Sequence, residues 1–219
     1  MKYSLLATVA LATAAHAAVQ GFDISNWQPS VDFAAAYSSG ARFVIIKVTE
    51  STDYIDPTFN SHYTGATKAG LIRGGYHFAH PGETSGAAQA DYFIAHGGGW
   101  SGDGITLPGM LDLESGCWGL SASAMVSWIR AFSDRYHGKT GRYPMLYTSP
   151  SWWSECTGNS NAFAETNPLV LARWGSSPGT IPGGWPYQTI WQNSDSYAHG
   201  GDSDVFNGAY DRLVALATG

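Results

Sequence analysis

The stretch Gly109-Met110-Leu111-Asp112-Leu113-Glu114 sets two carboxylates two residues apart inside an apolar segment, a pattern typical of a β-strand. Alternate side chains of an extended chain share one face, at a rise of roughly 3.3 Å per residue. Asp112 and Glu114 therefore point the same way, with Cα atoms roughly 6 to 7 Å apart. One of two such close acids holds its proton more tightly, and an acid beside a carboxylate is what glycosidic bond cleavage requires. A solvated edge strand, whose acids prevent strand pairing, is the open alternative.

The N-terminus has the pattern of a secretory signal peptide. Lys2 precedes an apolar stretch from Leu5 to Ala14, and the small residues of 15–17 form a cleavage site. We therefore expect residues 1–17 to be removed and the mature chain to begin near Ala18 as a secreted, extracellular protein. No other stretch approaches the roughly 20 apolar residues of a membrane span, so no membrane partner is expected.

Length and charge limit the classes of protein that this chain can belong to. The 219 residues carry a formal charge of −6, whereas nucleic-acid binding normally requires a basic patch. Residues 18–219 have the size of a single catalytic domain, expected to act as a monomer. The two cysteines, Cys117 and Cys156, favour a disulfide in an exported chain, with two free buried thiols as the alternative.

Short β-like runs alternate with helix-like stretches along the chain. The clearest strand, 42–48, is β-branched and nearly continuous, as buried parallel strands are. The longest helical pattern, 121–137, opens with a capping serine. Such alternation predicts an α/β fold, an irregular, TIM-like (β/α) barrel with eight parallel-type strands and fewer than eight helices. An open doubly wound sheet is the competing architecture, although no Gly-rich phosphate motif follows the first strand. Further strand candidates are 21–25, 74–79, 109–114, 144–148, 169–173 and 189–192.

Polar or aromatic residues recur near the carboxyl ends of these strands. In β/α barrels the reactive groups lie at the carboxyl ends of several strands. Each residue alone also has a structural interpretation, as a core aromatic or a turn cap, but coincidence at five separate strand ends is much less probable than at one. The residues expected to converge are Asp23, Tyr76, Asp112, Glu114, Tyr147, Trp191 and Asp202.

Two other chemistries are not indicated by the sequence. His77 and His80 have His-x-x-His spacing but lack the Glu of the zinc-protease helix motif, so framework or groove histidines are favoured. A serine hydrolase is not indicated either, because the Gly-x-Ser-x-Gly pattern at 175–179 is not followed by a helix-like stretch, as a nucleophile elbow would be. We expect neither a metal nor a cofactor.

Several motifs occur in a fixed order along almost the whole mature chain: Gly21-Phe22-Asp23-Ile24-Ser25, Ile46-Lys47-Val48-Thr49-Glu50, Gly75-Tyr76-His77-Phe78, Leu111-Asp112-Leu113-Glu114, Trp191-Gln192 and the run from Asp202 to Gly208. This ordered set resembles the glycoside hydrolase family 25 lysozymes, the Chalaropsis-type N-acetylmuramidases. The resemblance implies an irregular β/α barrel. It also implies cleavage of the β-1,4 bond between N-acetylmuramic acid and N-acetylglucosamine in bacterial peptidoglycan.

The resemblance also implies roles for the paired acids. Glu114 resembles the general acid, with its acidity lowered by nearby Asp112 and by partial burial. Asp112 resembles the ionised partner that stabilises positive charge at the anomeric carbon, either directly or through the acetamido group of the substrate. Retention of configuration is favoured, and the sequence leaves the direct and acetamido-assisted routes open.

Two supporting carboxylates, Asp23 and Asp202, are implied by the same resemblance. The last motif usually reads Asp-x-Asn, whereas this chain has Asp202-Ser203-Asp204. We expect Asp202 to face the cleft and count Asp204 among the substrate-binding candidates. Aromatic rings cover the apolar faces of sugars, and the residues expected to line the groove in this way are Tyr76, Tyr147 and Trp191.

Two other functions are compatible with a barrel of this kind. A chitinase-like hydrolase would also place acids on one barrel strand, but the longer acidic run expected there is missing. A sugar-binding protein without turnover has no need for a protonated acid beside a carboxylate. For an anionic wall and an anionic enzyme, acidic pH reduces repulsion and keeps Glu114 protonated, so we expect an acidic pH optimum.

Overall fold

The computed structural model describes residues 18–219, so the predicted signal peptide lies outside the described residues. Within that range no helix is both long enough and apolar enough to cross a membrane. The strands are β1 (Val19–Ile24), β2 (Phe43–Glu50), β3 (Tyr54–Ile55), β4 (Ile72–Phe78), β5 (Met110–Leu113), β6 (Met145–Thr148), β7 (Leu169–Ala172), β8 (Ile190–Ser194) and β9 (Asp202–Phe206). The α-helices are α1 (Phe33–Ser38), α2 (Phe59–Ala69), α3 (Gly86–Phe93), α4 (Ala122–Thr140), α5 (Pro150–Thr157) and α6 (Tyr210–Thr218), and a π-helical turn (Ile94–Gly98) continues α3.

Eight of these strands close into a barrel. The hydrogen-bonded order is β1-β9-β8-β7-β6-β5-β4-β2, and pairing of β1 with β2 completes the ring, while β3 adds a short hairpin to β2. Six α-helices accompany the eight barrel strands. The prediction of an irregular β/α barrel with fewer than eight helices is confirmed, and the open doubly wound sheet is excluded.

Strand direction differs from the prediction at one place. β9 runs antiparallel to both of its neighbours, β1 and β8, whereas the other barrel pairs are parallel. A parallel connection needs a crossover of a dozen or more residues, and the loop 195–201 between β8 and β9 is too short for one. A hairpin therefore forms there, and the barrel is mixed.

Alternation along the strands divides the apolar residues into two layers. Inside the barrel lie Phe43 and Ile45 of β2 together with Met110 of β5. On the outer face, Leu111 and Leu113 pack with the helices. In the stretch 109–114, the two leucines are therefore buried between the barrel and the surrounding helices, and the two acids lie on the inner side of the barrel.

A disulfide joins Cys117 to Cys156, as the cysteine count predicted. It ties the loop that follows β5 to α5, with the two Cα atoms 5.1 Å apart. The indole N–H of Trp152 donates to the carbonyl of Gly116 at 3.1 Å and reinforces the same connection. The loop beyond the acidic strand is thus held by a covalent bond and a hydrogen bond.

Candidate active site

A cavity of about 410 Å³ opens at the carboxyl ends of the parallel strands. Asp112 and Glu114 of the β5 segment line it together with Asp23 from β1 and Asp202 from β9. These four acids come together because β1 and β5 end, and the antiparallel β9 begins, at the same rim of the barrel. Four of the acids expected from the sequence therefore share one cavity.

The paired acids differ in depth. Asp112 is only 6% exposed, whereas Glu114 follows the end of β5 and is open to solvent at the mouth of the cavity. One oxygen of Asp112 finds no hydrogen-bond partner among the described residues. The deeper acid is therefore largely shielded from solvent, whereas the outer acid is placed to exchange a proton.

Burial controls the acidity of both groups. It raises the pKa of Asp112 well above its usual range, the charges of Glu114 and Asp23 act in the same direction, and Lys47 opposes them. Burial also raises the pKa of Glu114, followed by the charge of Asp202. From the sequence, we expected Asp112 to be the neighbouring acid that raises the pKa of Glu114. The structure assigns this influence to Asp202, because the buried Asp112 itself favours the neutral form.

Lys47 supplies the one positive charge among the described residues that line the cavity. Its ammonium forms an ion pair with Glu50 at 2.6 Å and lies 4.8 Å from the ring centre of Phe78. Because it lowers the pKa of both Asp112 and Glu114, it limits the number of protons that the acids retain. Lys47 belongs to one of the sequence motifs but had no predicted role, although its place near the end of β2 marked it as a cavity residue.

Gln192 connects the acids on one side of the cavity. Its amide nitrogen donates to Asp23 at 2.8 Å and to Asp202 at 3.2 Å. Its amide oxygen accepts from the hydroxyl of Tyr147 at 2.9 Å and from the indole of Trp174 at 3.1 Å. These two donors determine which end of the amide faces the acids.

Asp202 and Asp204 lie on the inner side of β9 at different depths. Asp202 lines the cavity, while Asp204 is only 1% exposed and lies beneath it. The preference for Asp202 as the acid facing the cleft agrees with this placement. A Cβ atom at Gly201 would lie 1.9 Å from the backbone oxygen of Asp23, so glycine lets β9 approach β1 here. As a buried group, Asp204 has no surface for direct contact with substrate.

The aromatic residues follow the sequence expectation only in part. Tyr76 and Tyr147 line the cavity. Trp191 does not, because its neighbour Gln192 faces inward and alternation turns the indole outward, where it donates to the carbonyl of Arg173 at 2.7 Å. The indoles at the cavity are instead Trp27 and Trp174, which are 84% and 59% exposed.

Sequence reasoning missed these two tryptophans, although a signal for both was present. Trp27 follows β1 and Trp174 follows β7, so each lies just beyond the carboxyl end of a strand. Residues within strands were considered as site candidates, but residues of the loops that form the rim were not. Loops at this end of a β/α barrel build the binding surface.

His77 and His80 belong to a hydrogen-bond network beside the cavity. Buried His77 contacts the hydroxyl of Thr49 at 2.8 Å and the amide oxygen of Gln89 at 2.9 Å. Burial lowers the pKa of His77 to about 4, which keeps the ring neutral. The ring of His80 lies between two carboxylates: Nε2 is 2.9 Å from the carboxylate of Glu50, and Nδ1 is 3.0 Å from the carboxylate of Glu83. Within residues 18–219 no group of three or more His, Cys, Asp or Glu side chains is arranged to hold a metal ion.

A larger depression of about 1120 Å³ lies at the opposite end of the barrel, beside α6. Its charged side chains are the partly or fully exposed Arg142, Glu165, Asp211 and Arg212, two of each sign. It lacks the cluster of buried acids that characterises the smaller cavity. The chemistry of the molecule is therefore concentrated at the carboxyl end of the barrel.

Comparison with known proteins agrees with this geometry. Residues 22–202 match the model of a family described as glycosyl hydrolases family 25. The chain belongs to this family. Among family 25 relatives, it is 75% identical to the N,O-diacetylmuramidase of Chalaropsis sp, over 92% of this chain and all of the relative. It is 48% identical to Lysozyme M1 of Streptomyces globisporus, over 91% of this chain and 71% of the relative.

Solved structures of family 25 proteins share the fold. The muramidase of Trichobolus zukalii superposes with a TM-score of 0.91 at 69% identity, covering 91% of this chain and 99% of that one. The family 25 lysozyme of Aspergillus fumigatus also superposes with a TM-score of 0.91, at 59% identity, covering 93% of this chain and 100% of that one. The mixed barrel described above is therefore the architecture of family 25.

Proposed function

We propose that this protein is a secreted, extracellular muramidase that acts as a monomer and hydrolyses the β-1,4 bond between N-acetylmuramic acid and N-acetylglucosamine in bacterial peptidoglycan. One observation carries the proposal: Asp112 and Glu114 share one cavity, the first buried and the second at its mouth. Relatives at 75% and 48% identity are named as a muramidase and a lysozyme, in support of this assignment.

Glu114 acts first as the general acid. Its raised pKa keeps the carboxyl protonated in weakly acidic solution, so it can pass that proton to the glycosidic oxygen as the bond to the anomeric carbon breaks. The leaving sugar departs with its new hydroxyl. Glu114, now a carboxylate, then removes a proton from the attacking water.

Asp112 assists the acetamido group of the substrate. The acetamido oxygen attacks the anomeric carbon and forms a cyclic oxazolinium ion, while the N–H donates to the carboxyl group of Asp112, which lines the cavity. Burial favours the neutral form of Asp112, whereas Lys47 and the positive charge that develops on the sugar ring favour its carboxylate form, in which it accepts this bond. Attack of water from the opposite face reopens the ring, so the product retains the configuration of the substrate.

The remaining cavity residues bind and orient the glycan. Asp23 and Asp202 act as supporting carboxylates whose positions are linked through Gln192. The exposed rings of Trp27 and Trp174 provide flat apolar surfaces at the rim for sugar rings. Because relatives at 75% and 64% identity are named N,O-diacetylmuramidase, we include walls whose muramic acid also carries an O-acetyl group among the substrates.

Digestion of purified peptidoglycan by the wild type and by Glu114→Gln tests the proposal. Mass spectrometry of the borohydride-reduced products should show muropeptides that end in reduced muramic acid for the wild type and none for the variant. Glu165→Gln, an exposed glutamate at the opposite end of the barrel, is the matched control and should leave the products unchanged.

Other products would contradict the proposal. Ends in reduced glucosamine would indicate a glucosaminidase, and activity on chitin alone would indicate a chitinase. Binding without any products at acidic pH would indicate a sugar-binding protein. Parallel digestion of O-acetylated and chemically de-O-acetylated walls tests the substrate range. Cleavage of the de-O-acetylated walls alone would exclude O-acetylated substrates.

A further inference from the structure

Trp27 is the most exposed of the large apolar side chains in residues 18–219, and it lies at the rim of the cavity. An indole that is 84% exposed contributes little to the packing of the protein. On a mobile loop such a ring would also lose much conformational freedom on binding a ligand, at a cost in affinity. The backbone beneath Trp27, however, is held by hydrogen bonds.

The turn of residues 25–28, which carries Trp27, forms three hydrogen bonds within itself. The backbone amide of Gln28 donates to the carbonyl oxygen of Ser25 at 3.0 Å. The amide of Trp27 donates to the hydroxyl of Ser25 at 3.2 Å. The amide of Ser25 donates to the side-chain oxygen of Gln28 at 3.1 Å. These bonds close the turn on itself, but they do not fix it to the rest of the molecule.

Asp56 holds the remaining backbone amide of the turn from outside. Its Oδ2 accepts from the amide of Asn26 at 2.9 Å. Its Oδ1 accepts from the amide and the hydroxyl of Thr58 at 2.8 and 2.6 Å. Asp56 is only 3% exposed, and its own amide donates to the carbonyl oxygen of Val48 on β2 at 2.9 Å. The bond to Asn26 therefore ties the turn to a buried acid that is itself fixed to a barrel strand.

The two carboxyl oxygens of Asp56 have separate tasks. A buried carboxyl group lowers stability unless its oxygens receive hydrogen bonds. Thr58 satisfies one oxygen within the loop that follows β3, whereas the other oxygen serves the turn that carries Trp27. Asp56 is not among the described residues that line the cavity. Any effect of this oxygen on a bound glycan therefore passes through the turn.

We propose that Asp56 is a positioning residue that fixes the turn of residues 25–28 and thereby presents the indole of Trp27 in one orientation to a sugar ring of the glycan. With the backbone held, little beyond the side-chain torsions of Trp27 has to be ordered on binding, so the sugar ring binds at a lower entropic cost. The role in glycan binding rests on the proposed function, whereas the hold of Asp56 on the turn does not.

Amide hydrogen exchange tests the hold on the turn without any substrate. In Asp56→Asn the two donors of Thr58 direct the new amide oxygen toward Thr58, so an NH2 group replaces the acceptor of Asn26. Exchange of the Asn26 amide, followed by NMR, should become about tenfold faster, the equivalent of one hydrogen bond. Equal exchange in the wild type and Asp56→Asn would overturn the proposal.

Thr58→Val is the matched control for this experiment. It removes a donor from the other oxygen of the same carboxyl group and leaves the bond to Asn26 in place. Exchange of the Asn26 amide should therefore stay at the wild-type rate. Loss of protection in both variants would show that the turn responds to any disturbance of the loop and would overturn the specific role of Asp56.

A double-mutant cycle with Trp27→Ala tests the effect on glycan binding. Asp56→Asn should raise KM for peptidoglycan about threefold with little change in kcat, because the ring is still present but less well oriented. In the Trp27→Ala background the same substitution should not raise KM further, since the ring that Asp56 orients is gone. Thr58→Val should leave KM unchanged. A rise of equal size in both backgrounds, or a fall in kcat alone, would overturn the proposal.

Two further outcomes have their own measurements. If circular dichroism shows that Asp56→Asn does not fold, Ser25→Ala, which removes the acceptor of the Trp27 amide, replaces it in the same cycle with the same expected result. If the wild type does not hydrolyse peptidoglycan, the proposed function is refuted, and cosedimentation with purified peptidoglycan then gives a dissociation constant for each variant in place of KM. A dissociation constant that Asp56→Asn does not change, or absence of binding by the wild type, would overturn the role in glycan binding.

Discussion

The hydroxyl of Tyr147 donates a 2.9 Å hydrogen bond to the amide oxygen of Gln192. This contact directs the amide nitrogen of Gln192 toward Asp23 and Asp202. A residue predicted as a flat surface for sugars thus has a second function through its polar end. Burial and the surrounding acids raise the pKa of Tyr147, so the phenol stays protonated and remains a donor.

Replacing Tyr147 with Phe should remove this orientation and keep the ring. We expect kcat/KM for peptidoglycan to fall about tenfold, the equivalent of one net hydrogen bond. Trp174 still donates to Gln192 and prevents a larger loss. Tyr143→Phe is the control, since Tyr143 lies just before β6 at the opposite end of the barrel and does not line the cavity. An equal loss in both variants would contradict the prediction.

Asp202→Asn should change the pH profile in a defined direction. Burial first and the charge of Asp202 second raise the pKa of Glu114, and the proposed acid is active only when it is protonated. Without the charge of Asp202 the pKa of Glu114 falls, so the alkaline limb of kcat/KM should move to lower pH. The measurement is the rate of wall lysis from about pH 3 to about pH 9, a range that brackets ordinary and raised carboxyl pKa values.

Asp211→Asn is the control for this experiment, since Asp211 lies on α6 at the opposite end of the barrel. Its profile should coincide with that of the wild type and peak at acidic pH. A shift of the alkaline limb to higher pH in Asp202→Asn, or a wild-type optimum at about pH 8, well above the usual carboxyl range, would contradict the assignment of Glu114.

Trp27→Ala should weaken binding of the glycan and leave the chemical step intact. The indole is 84% exposed, so its removal costs little in packing. Loss of one aromatic surface for a sugar ring should raise KM about three- to tenfold with little change in kcat. Tyr187→Ala, another exposed aromatic but at the opposite end of the barrel, should change neither parameter. A fall in kcat with KM unchanged would indicate a different role for Trp27.

The double variant Cys117→Ala/Cys156→Ala tests the contribution of the disulfide. The bond spans a sequence separation of 39 residues, and its loss should lower the free energy of unfolding by about 4 kcal/mol. Urea denaturation followed by tryptophan fluorescence measures this difference. The wild type with reductant should match the double variant, and unchanged stability in both would contradict the estimate.

Much of the fold could be predicted from local pattern. The apolar run of β2 and the alternation in β5 each reflect the environment of a single strand, and alternation also predicted that Asp112 and Glu114 face one way. The pairing of Cys117 with Cys156 followed from the count of cysteines alone. β9 had no such local signal, because its run Asp202–Phe206 contains two acids and little apolar sequence.

The depth of the site residues could not be predicted from the same patterns. Asp202 and Asp204 have the same alternation, yet only the first reaches the cavity. Trp191 is in a strand and Trp174 in a loop, yet the loop residue lines the cavity. Depth depends on how far a residue lies along the barrel axis and on what covers it, both of which are set by distant parts of the chain.

Local patterns in the amino-acid sequence were enough to predict most of the barrel strands, which faces of those strands are polar, and that acids gather at one end of a barrel. These properties depend on the period of side chains along a single extended segment. The antiparallel direction of β9, the presence of Trp27 and Trp174 rather than Trp191 at the cavity, and the burial of Asp204 are visible in the folded structure alone. Those features arise from contacts between segments far apart in the chain, and the acidity of each buried carboxyl depends on the charges and donors that such contacts bring near it.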